Sequence, residues 1–220
     1  DIFDVNNKGN KEVIFDVQFE SGVNGNSEGS RAFQKFSPSG TVSGALGHNL
    51  PTKEVYGLFA DNDKRKSAYF IVTKNGVIGT GKLKQTSATV ADGGSNVIVL
   101  RYADVLLMLA ECYAEKDNVS KSNEYLNLIK KRAGIEEVSI GDVTLIKEEI
   151  ALERRKELVN EGHRWFDLIR TGKAVEVMNA YFTRTPGYTG ITISELNYVQ
   201  PIPQGQIDTD SATKQNEGYN

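Results

Sequence analysis

Cysteine is almost absent from this chain of 220 residues: Cys112 stands alone. A single thiol can form neither an internal disulfide nor a thiolate metal cluster. Its place in a strongly apolar helical pattern predicts a buried, inert side chain rather than a nucleophile. Histidine is scarce as well, and His48 and His163 are far apart, so the paired-His spacing of a zinc hydrolase is missing. Excess positive charge is also lacking, because 26 Lys and Arg against 29 Asp and Glu leave a net charge of −3. Without a basic face the chain has nothing to offer a phosphate backbone, which excludes nucleic acid as a partner. No apolar run approaches the roughly 20 residues that span a bilayer. The opening DIFDVNNKGN has no signal-peptide character, so any targeting segment is expected to precede this piece or to have been removed. Sequences of the form G-x-S-x-G, a Walker loop, or G-x-G-x-x-G between strand and helix are missing too. GVIGTGK at 76–82 lacks phosphate-loop spacing and reads as a turn between β segments.

What is present divides into two kinds of pattern. Hydrophobic residues make up 39% and charged residues 25%, ordinary for a folded protein long enough to bury a core. Residues 1–100 are polar, Gly-rich and strand-like. Val13, Phe15, Val17 and Phe19 alternate with Asp16, Gln18 and Glu20, which predicts a half-buried strand over 11–20. SAYFIVTK (67–74) and NVIVL (96–100) are further β-rich runs, and 55–60 reads as a short helix. Between the first two strands lies a long aperiodic stretch, and such loops in compact domains are usually functional.

Residues 101–220 follow a helical pattern. YADVLLMLAECYAE (102–115) is apolar nearly all round, which predicts a helix buried on every side. A second helix is expected from an Asn118 or Ser120 cap to about Arg132, with Gly134 as its stop. A third is expected to start after Asp142 or Thr144 and run to Gly172, followed by a shorter one over 174–181. Leu106, Leu109, Ala110 and Tyr113, continued by Ser122, Leu126 and Ile129, have the spacing of one tetratricopeptide-like unit at about 102–134. A lone unit cannot cover its own apolar faces.

Two places carry candidate chemistry. The first is ERRKELVNEGHRWFDLIRTGK (153–173), where Glu161, His163 and Asp167 could be taken for a catalytic or metal trio. Its charges also fall three or four apart, the spacing of i,i+3 and i,i+4 pairs along an amphipathic helix whose Trp165 and Phe166 enter a core. That plainer reading is preferred. The second is the long loop, where Arg31, Phe33, Phe36, His48 and Asn49, with Asn24 and Asn26, combine flat apolar rings with amide and guanidinium donors. Sugars are held by that combination, with rings against C–H faces and planar polar groups on hydroxyls.

Five stretches, taken in order, resemble the SusD/RagB family of outer-membrane nutrient-binding lipoproteins: NKEVIFDVQFESG, FADNDKRKSAYF with its Asp63-Lys64-Arg65 element, VIVLRYADVLLMLAECYAE, EEIALERRKELVNEGHRWFDLIRTGK, and NYVQPIPQGQIDTDSATKQNEGYN. The resemblance implies a mainly α, SusD-like helical fold: a tetratricopeptide-like helix pair beside a loop-rich region with short β-strands. On this reading 1–100 is the loop-rich region with the candidate ligand-binding loop, 101–220 is the family's helical C-terminal region, and the family's N-terminal half is absent. Arg101, Tyr102, Glu111, Arg154, Glu161, Arg164, Trp165 and Asp167 fall in the matching stretches and are taken as a structural signature. The resemblance further implies non-catalytic capture of oligosaccharides or other nutrients for a SusC-like TonB-dependent transporter. It implies an outer-membrane, surface-exposed location through an N-terminal lipid anchor outside this chain. No metal and no cofactor are expected. A scaffold that docks a protein partner and a glycan-active hydrolase are the alternatives.

Overall fold

In the computed structural model, residues 2–22, 29–84, 86 and 89–219 are described, and the chain divides into two compact units, Asp1–Gly162 and His163–Asn220. The first unit contains β1 (Val13–Val17), α1 (Ala32–Phe36), α2 (Lys53–Gly57), α3 (Lys64–Tyr69), β2 (Phe70–Val72), β3 (Ile78–Thr80) and β4 (Val97–Arg101). It continues with α4 (Tyr102–Glu115), α5 (Val119–Ala133) and α6 (Val143–Glu157). The second unit contains α7 (Arg164–Arg170), α8 (Ala174–Arg184) and α9 (Gln204–Thr209). The mainly α architecture expected from the sequence is present.

The helix signals act where the sequence places them. Asn118 caps α5 by accepting from Lys121 N–H, and Gly134 ends it in a left-handed conformation at φ 75°. Asp142 caps α6 by accepting from Leu145 N–H. Leu106, Leu107, Ala110, Leu126, Ile129, Ile146 and Ile150 from these three helices form one buried core. Ala110 and the fully buried Ser122 mark the close approach of α4 and α5, where the Ser122 hydroxyl donates to the Ala110 carbonyl at 2.8 Å. A second, aromatic core joins Val55, Phe59, Tyr69, Phe70 and Ile78, with Phe70 edge-on to both Tyr56 and Phe59.

Four expectations need correction. The helix expected to run from about residue 143 to Gly172 is broken: α6 stops at Glu157, Asn160 and Gly162 take φ 62° and 88°, and α7 starts afresh. Left-handed residues cannot continue a right-handed helix. Second, α4 is buried along one side only. Tyr102, Met108 and Cys112 lie on its open side, so the thiol is exposed rather than buried. Third, β1 pairs antiparallel with β4, but irregularities between Val13 and Phe15 and between Phe15 and Asp16 break the period of two. As a result Phe15 is 54% exposed whereas Asp16 is half-buried. Fourth, the run at 67–74 is only partly strand, because Asp63 caps a helix that holds the chain to Tyr69.

The segment between α5 and α6 has little side-chain burial of its own. Two amides on α5 hold it instead. Asn127 accepts from Val138 N–H at 2.9 Å and donates to its carbonyl at 2.8 Å. Asn123 does the same for Ile140, at 3.0 and 2.8 Å. Each amide replaces a strand partner. In the second unit, Asn179 brackets Ile193 and Gln215 brackets Ile202 in the same manner. Asn127→Ala leaves both Val138 backbone groups without their partner and is expected to lower stability by about 1–3 kcal/mol. Leu128→Ala, at an exposed position on the same helix, should stay within about 0.5 kcal/mol. Urea denaturation of the two variants checks the difference.

Candidate functional site

The cluster that resembles an active site in the sequence is a buried ionic framework. Arg101, at the junction of β4 and α4, is 1% exposed and places all its N–H donors. Its Nε and Nη2 reach the two Glu161 oxygens at 2.6 and 2.8 Å. Nη1 reaches Glu157 Oε1 at 2.7 Å and Glu12 Oε1 at 3.2 Å, and Nη2 also reaches the Glu157 carbonyl at 2.8 Å. Arg65 is held bidentately by Asp63 and reaches Glu153 at 2.5 Å and Glu157 at 2.9 Å. Arg132 adds a further bond to Glu157 from α5, and Tyr69 donates its hydroxyl to the same carboxylate at 3.1 Å. Lys82 is buried over the Tyr69 ring, 3.8 Å from its centroid, and bonds to Glu161 at 2.5 Å. On α6, Arg154 pairs with Asp104 of α4 at 2.7 Å.

The local electrostatics follow from this geometry. Burial pushes the Glu157 carboxyl up, but the Arg101, Arg132, Lys82 and Arg65 cations outweigh it and hold the group well below the usual carboxylate range. Burial likewise pushes the Glu161 carboxyl up, but Lys82 and Arg101 outweigh it and hold the group below its ordinary value. Burial pulls the Lys82 ammonium down to about 8 despite Glu161 beside it. Burial, then the Glu157 charge, drive the Tyr69 phenol well up, so it remains a donor. The acidic residues expected to pair along one helix therefore serve other elements: Glu153 and Glu157 turn to α3, β4 and α5, and Glu161 to β4 and Lys82.

The remaining signature residues are distributed differently. Tyr102 is 52% exposed, Glu111 is half-buried, and both lie on α4. In the second unit, Trp165 packs edge-on to Tyr198 at 6.1 Å, Asp167 pairs with Arg170 at 2.8 Å, and Arg164 opens α7 half-buried. Phe166 is 69% exposed, contrary to the expectation that both aromatics enter a core. Adjacent helical residues point about 100° apart, and only Trp165 turns inward. His163 is the residue before α7, where its carbonyl accepts from Asp167 N–H at 3.0 Å. Among the described residues no three His, Cys, Asp or Glu side chains gather as a metal ion would require.

The long loop is folded rather than open. α1 supplies its first limb, and residues 44–49 return across it: Leu46 N–H donates to the Gln34 carbonyl at 2.9 Å, and His48 and Asn49 N–H donate to that of Lys35 at 2.8 and 3.3 Å. Buried Ser37, Pro38 and Ala45 support the turn. His48 and Asn49 are thereby brought to the end of α1 that carries Phe36, with both polar side chains exposed and the ring half-buried. Arg31 stands exposed at the other end, and Phe33 is half-buried beside Gly93. Asn24 and Asn26 lie outside the described residues. A separate open groove of about 510 Å³ borders Tyr56, Asp61, Asn62, Lys66 and Ser67. Nothing in the sequence marks it; on its border Lys66 pairs with Asp61 at 2.7 Å and lies 5.0 Å from the Tyr56 ring centre.

The model of the SusD family matches residues 60–219. SusD-like protein P38 of Formosa agariphila is 39% identical over 93 residues, 38% of this chain and 18% of that protein. SusD-like protein P25 of the same organism is 25% identical over 270 residues, covering 100% of this chain and 51% of that one. The solved structure of surface glycan-binding protein A from Bacteroides thetaiotaomicron, in complex with laminarihexaose, is similar with a TM-score of 0.78 and 27% identity, over 98% of this chain and 54% of that one. The chain therefore spans about half the length of P25 and of the glycan-binding protein.

The framework yields a pH dependence of defined sign. Glu157 and Glu161 titrate lower in the folded chain than in the unfolded one. Their contribution is complete above the unfolded value of about 4.3 and is lost as pH falls through the folded values. Melting temperature is expected to fall steadily with acidification below about pH 4.3. At neutral pH, Glu157→Gln should lose about 3–5 kcal/mol, because buried guanidinium groups are left without their counter-charge. Glu124→Gln, which breaks an exposed pair with Lys121, should leave stability almost unchanged. Equal losses in the two variants would refute the dependence on burial.

Proposed function

The chain belongs to the SusD family, and on that premise we propose that it captures glycans without chemically altering them, for delivery to a membrane transporter. The observation that carries this reading is the similarity, across 98% of the chain, to a protein whose solved structure holds laminarihexaose. The loop between β1 and α2 supports it: exposed Arg31, His48 and Asn49 beside half-buried Phe33 and Phe36 combine ring faces with hydroxyl-binding groups. A glycan-active hydrolase is the weaker reading, because Asp63, Glu153, Glu157 and Glu161 are engaged as counter-ions to buried cations. A hydrolase needs a carboxylate pair facing substrate.

The same reading places the protein at the outer-membrane surface, held by an N-terminal lipid anchor outside this chain and capping a SusC-like TonB-dependent transporter. Capture there raises the local glycan concentration at the transporter mouth, so modest affinity suffices. The α4–α5 pair is proposed to act as one tetratricopeptide-like unit. Phe15, Val17 and Leu100 on β1 and β4, with Tyr102 and Met108 on α4, are exposed apolar residues. We infer that they share one uncovered face, which would be unusual for a monomer. We infer that in a protein of P25's length the additional half covers this surface.

Calorimetric titration with laminarihexaose, followed by other oligosaccharides, tests ligand capture. Phe36→Ala and His48→Ala are each expected to weaken affinity about tenfold, on the order of 1.4 kcal/mol, with the melting temperature little changed. Wild-type affinity in both variants would move the site elsewhere, and release of shorter sugars would establish the hydrolase. For the apolar surface, a hydrophobic dye should bind the 220-residue chain and lose signal in Phe15→Ser/Met108→Ser. An undiminished signal in that double variant would exclude the surface.

A further inference from the structure

Where the β1–β4 ladder ends at the Val17–Val97 pair, side chains take over the pairing. Asn96 accepts from Phe19 N–H at 3.1 Å and donates to Asp16 at 2.7 Å. Asp92 then does something more specific. Its Oδ2 accepts from Gly22 N–H at 2.9 Å, and its Oδ1 accepts from Gly29 N–H at 2.7 Å. A single buried carboxylate therefore grips the candidate loop at both Gly22 and Gly29. Next to it, Ser30 and Gly93 exchange backbone hydrogen bonds at 2.7 and 2.9 Å, and the Ser30 hydroxyl accepts from Ala32 N–H at 3.0 Å. Gly29, one of the two gripped residues, leads through Ser30 into Arg31 and α1.

The strip that carries Asp92 is itself fixed from behind. Gly94 N–H donates to the Thr86 hydroxyl at 2.5 Å, and the Ser95 hydroxyl donates to the Lys84 carbonyl at 3.2 Å. The approach leaves no room for a side chain at Gly29, where a β-carbon would lie 2.5 Å from Asp92 Oδ1 and 2.7 Å from Gly93 N. Real β-carbon contacts are not that short, so the glycine is a steric condition of the grip.

We propose that Asp92 is the positioning residue of the ligand-binding loop: its carboxylate fastens Gly22 and Gly29 to a rigid strip and thereby sets where Arg31, Phe33 and Phe36 stand. The proposal rests on the loop being the glycan site, but the fastening itself can be measured without a ligand. Fastening the loop before binding reduces the ordering cost that a glycan must otherwise meet.

The test is amide hydrogen exchange in the protein, wild type against Asp92→Ala, Asp92→Asn and Gly29→Ala. Asp92→Ala and Gly29→Ala should speed exchange at Gly29, Ser30 and Leu46 by at least roughly tenfold, while α4–α6 amides keep wild-type rates. Asp92→Asn retains one acceptor oxygen and should fall between. Unchanged rates at Gly29 and Ser30 in Asp92→Ala overturn the proposal, and so does faster exchange spread equally through α4–α6, which would make Asp92 a general stability residue. Laminarihexaose titration of the same variants separates the two ideas. Loss of affinity in Phe36→Ala but not in Asp92→Ala rejects positioning and keeps the site. Faster loop exchange with wild-type affinity in Phe36→Ala keeps the fastening as a loop constraint, rejects this loop as the site, and with it Asp92 as a positioning residue for ligand.

Discussion

Glu157 is the anion on which the first unit is assembled. Lying at the end of α6, it receives Arg65 from α3, Arg101 from the β4–α4 junction, Arg132 from α5 and the hydroxyl of Tyr69 from the aromatic core. Those partners come from both the helical core and the loop-rich part, so one carboxylate ties the two together. Such a framework is stabilising only while complete, because a buried ion stripped of its counter-ion is far costlier than the pair is beneficial. That asymmetry makes the arrangement specific. An alternative packing of α6 would strand several guanidinium groups in an apolar interior.

The break between α6 and α7 belongs to the same constraint. An uninterrupted helix would carry Glu161 onward with the helix axis. The left-handed Asn160 and Gly162 instead place the Glu161 carboxylate where Arg101 and Lys82 both reach it. Around this rigid centre, polar side chains do what backbone does in a sheet. Asn123, Asn127, Asn96 and Asp92 pair with the main chain of segments that have no strand partner. Irregular chain is thus held in place without a large sheet, and its outward side chains are left for contact with other molecules.

Under the proposed function, architecture and recognition are served by different residues. The charged residues that suggest chemistry are committed to internal neutralisation, whereas the loop carries exposed Arg31, His48 and Asn49 beside the half-buried rings of Phe33 and Phe36. Such a division lets the loop vary with ligand while the framework stays fixed. It suits a protein that binds rather than transforms.

Several features were legible in the sequence because their causes are local. The caps Asn118 and Asp142, the stop at Gly134 and the apolar spacing that packs α4 on α5 depend on neighbours within a turn or two. The family was legible from ordered motifs, and the composition of the loop from its residues. Other outcomes depend on groups far apart in the chain, which only tertiary structure brings together. Glu153, Glu157 and Glu161 each lie three residues from a basic side chain, which suits helix-surface pairs, yet burial against Arg65, Arg101 and Lys82 commits them elsewhere. Cys112 and Phe166 are apolar in an apolar pattern, but a helix buried on one side must leave the other face open. The sequence by itself determined the long helices α4 and α5, the start of α6 with its cap, and the family. The tertiary structure decided which charges are interior, where α6 breaks, and that Asp92 grips both Gly22 and Gly29, because each of these is a matter of long-range burial and pairing.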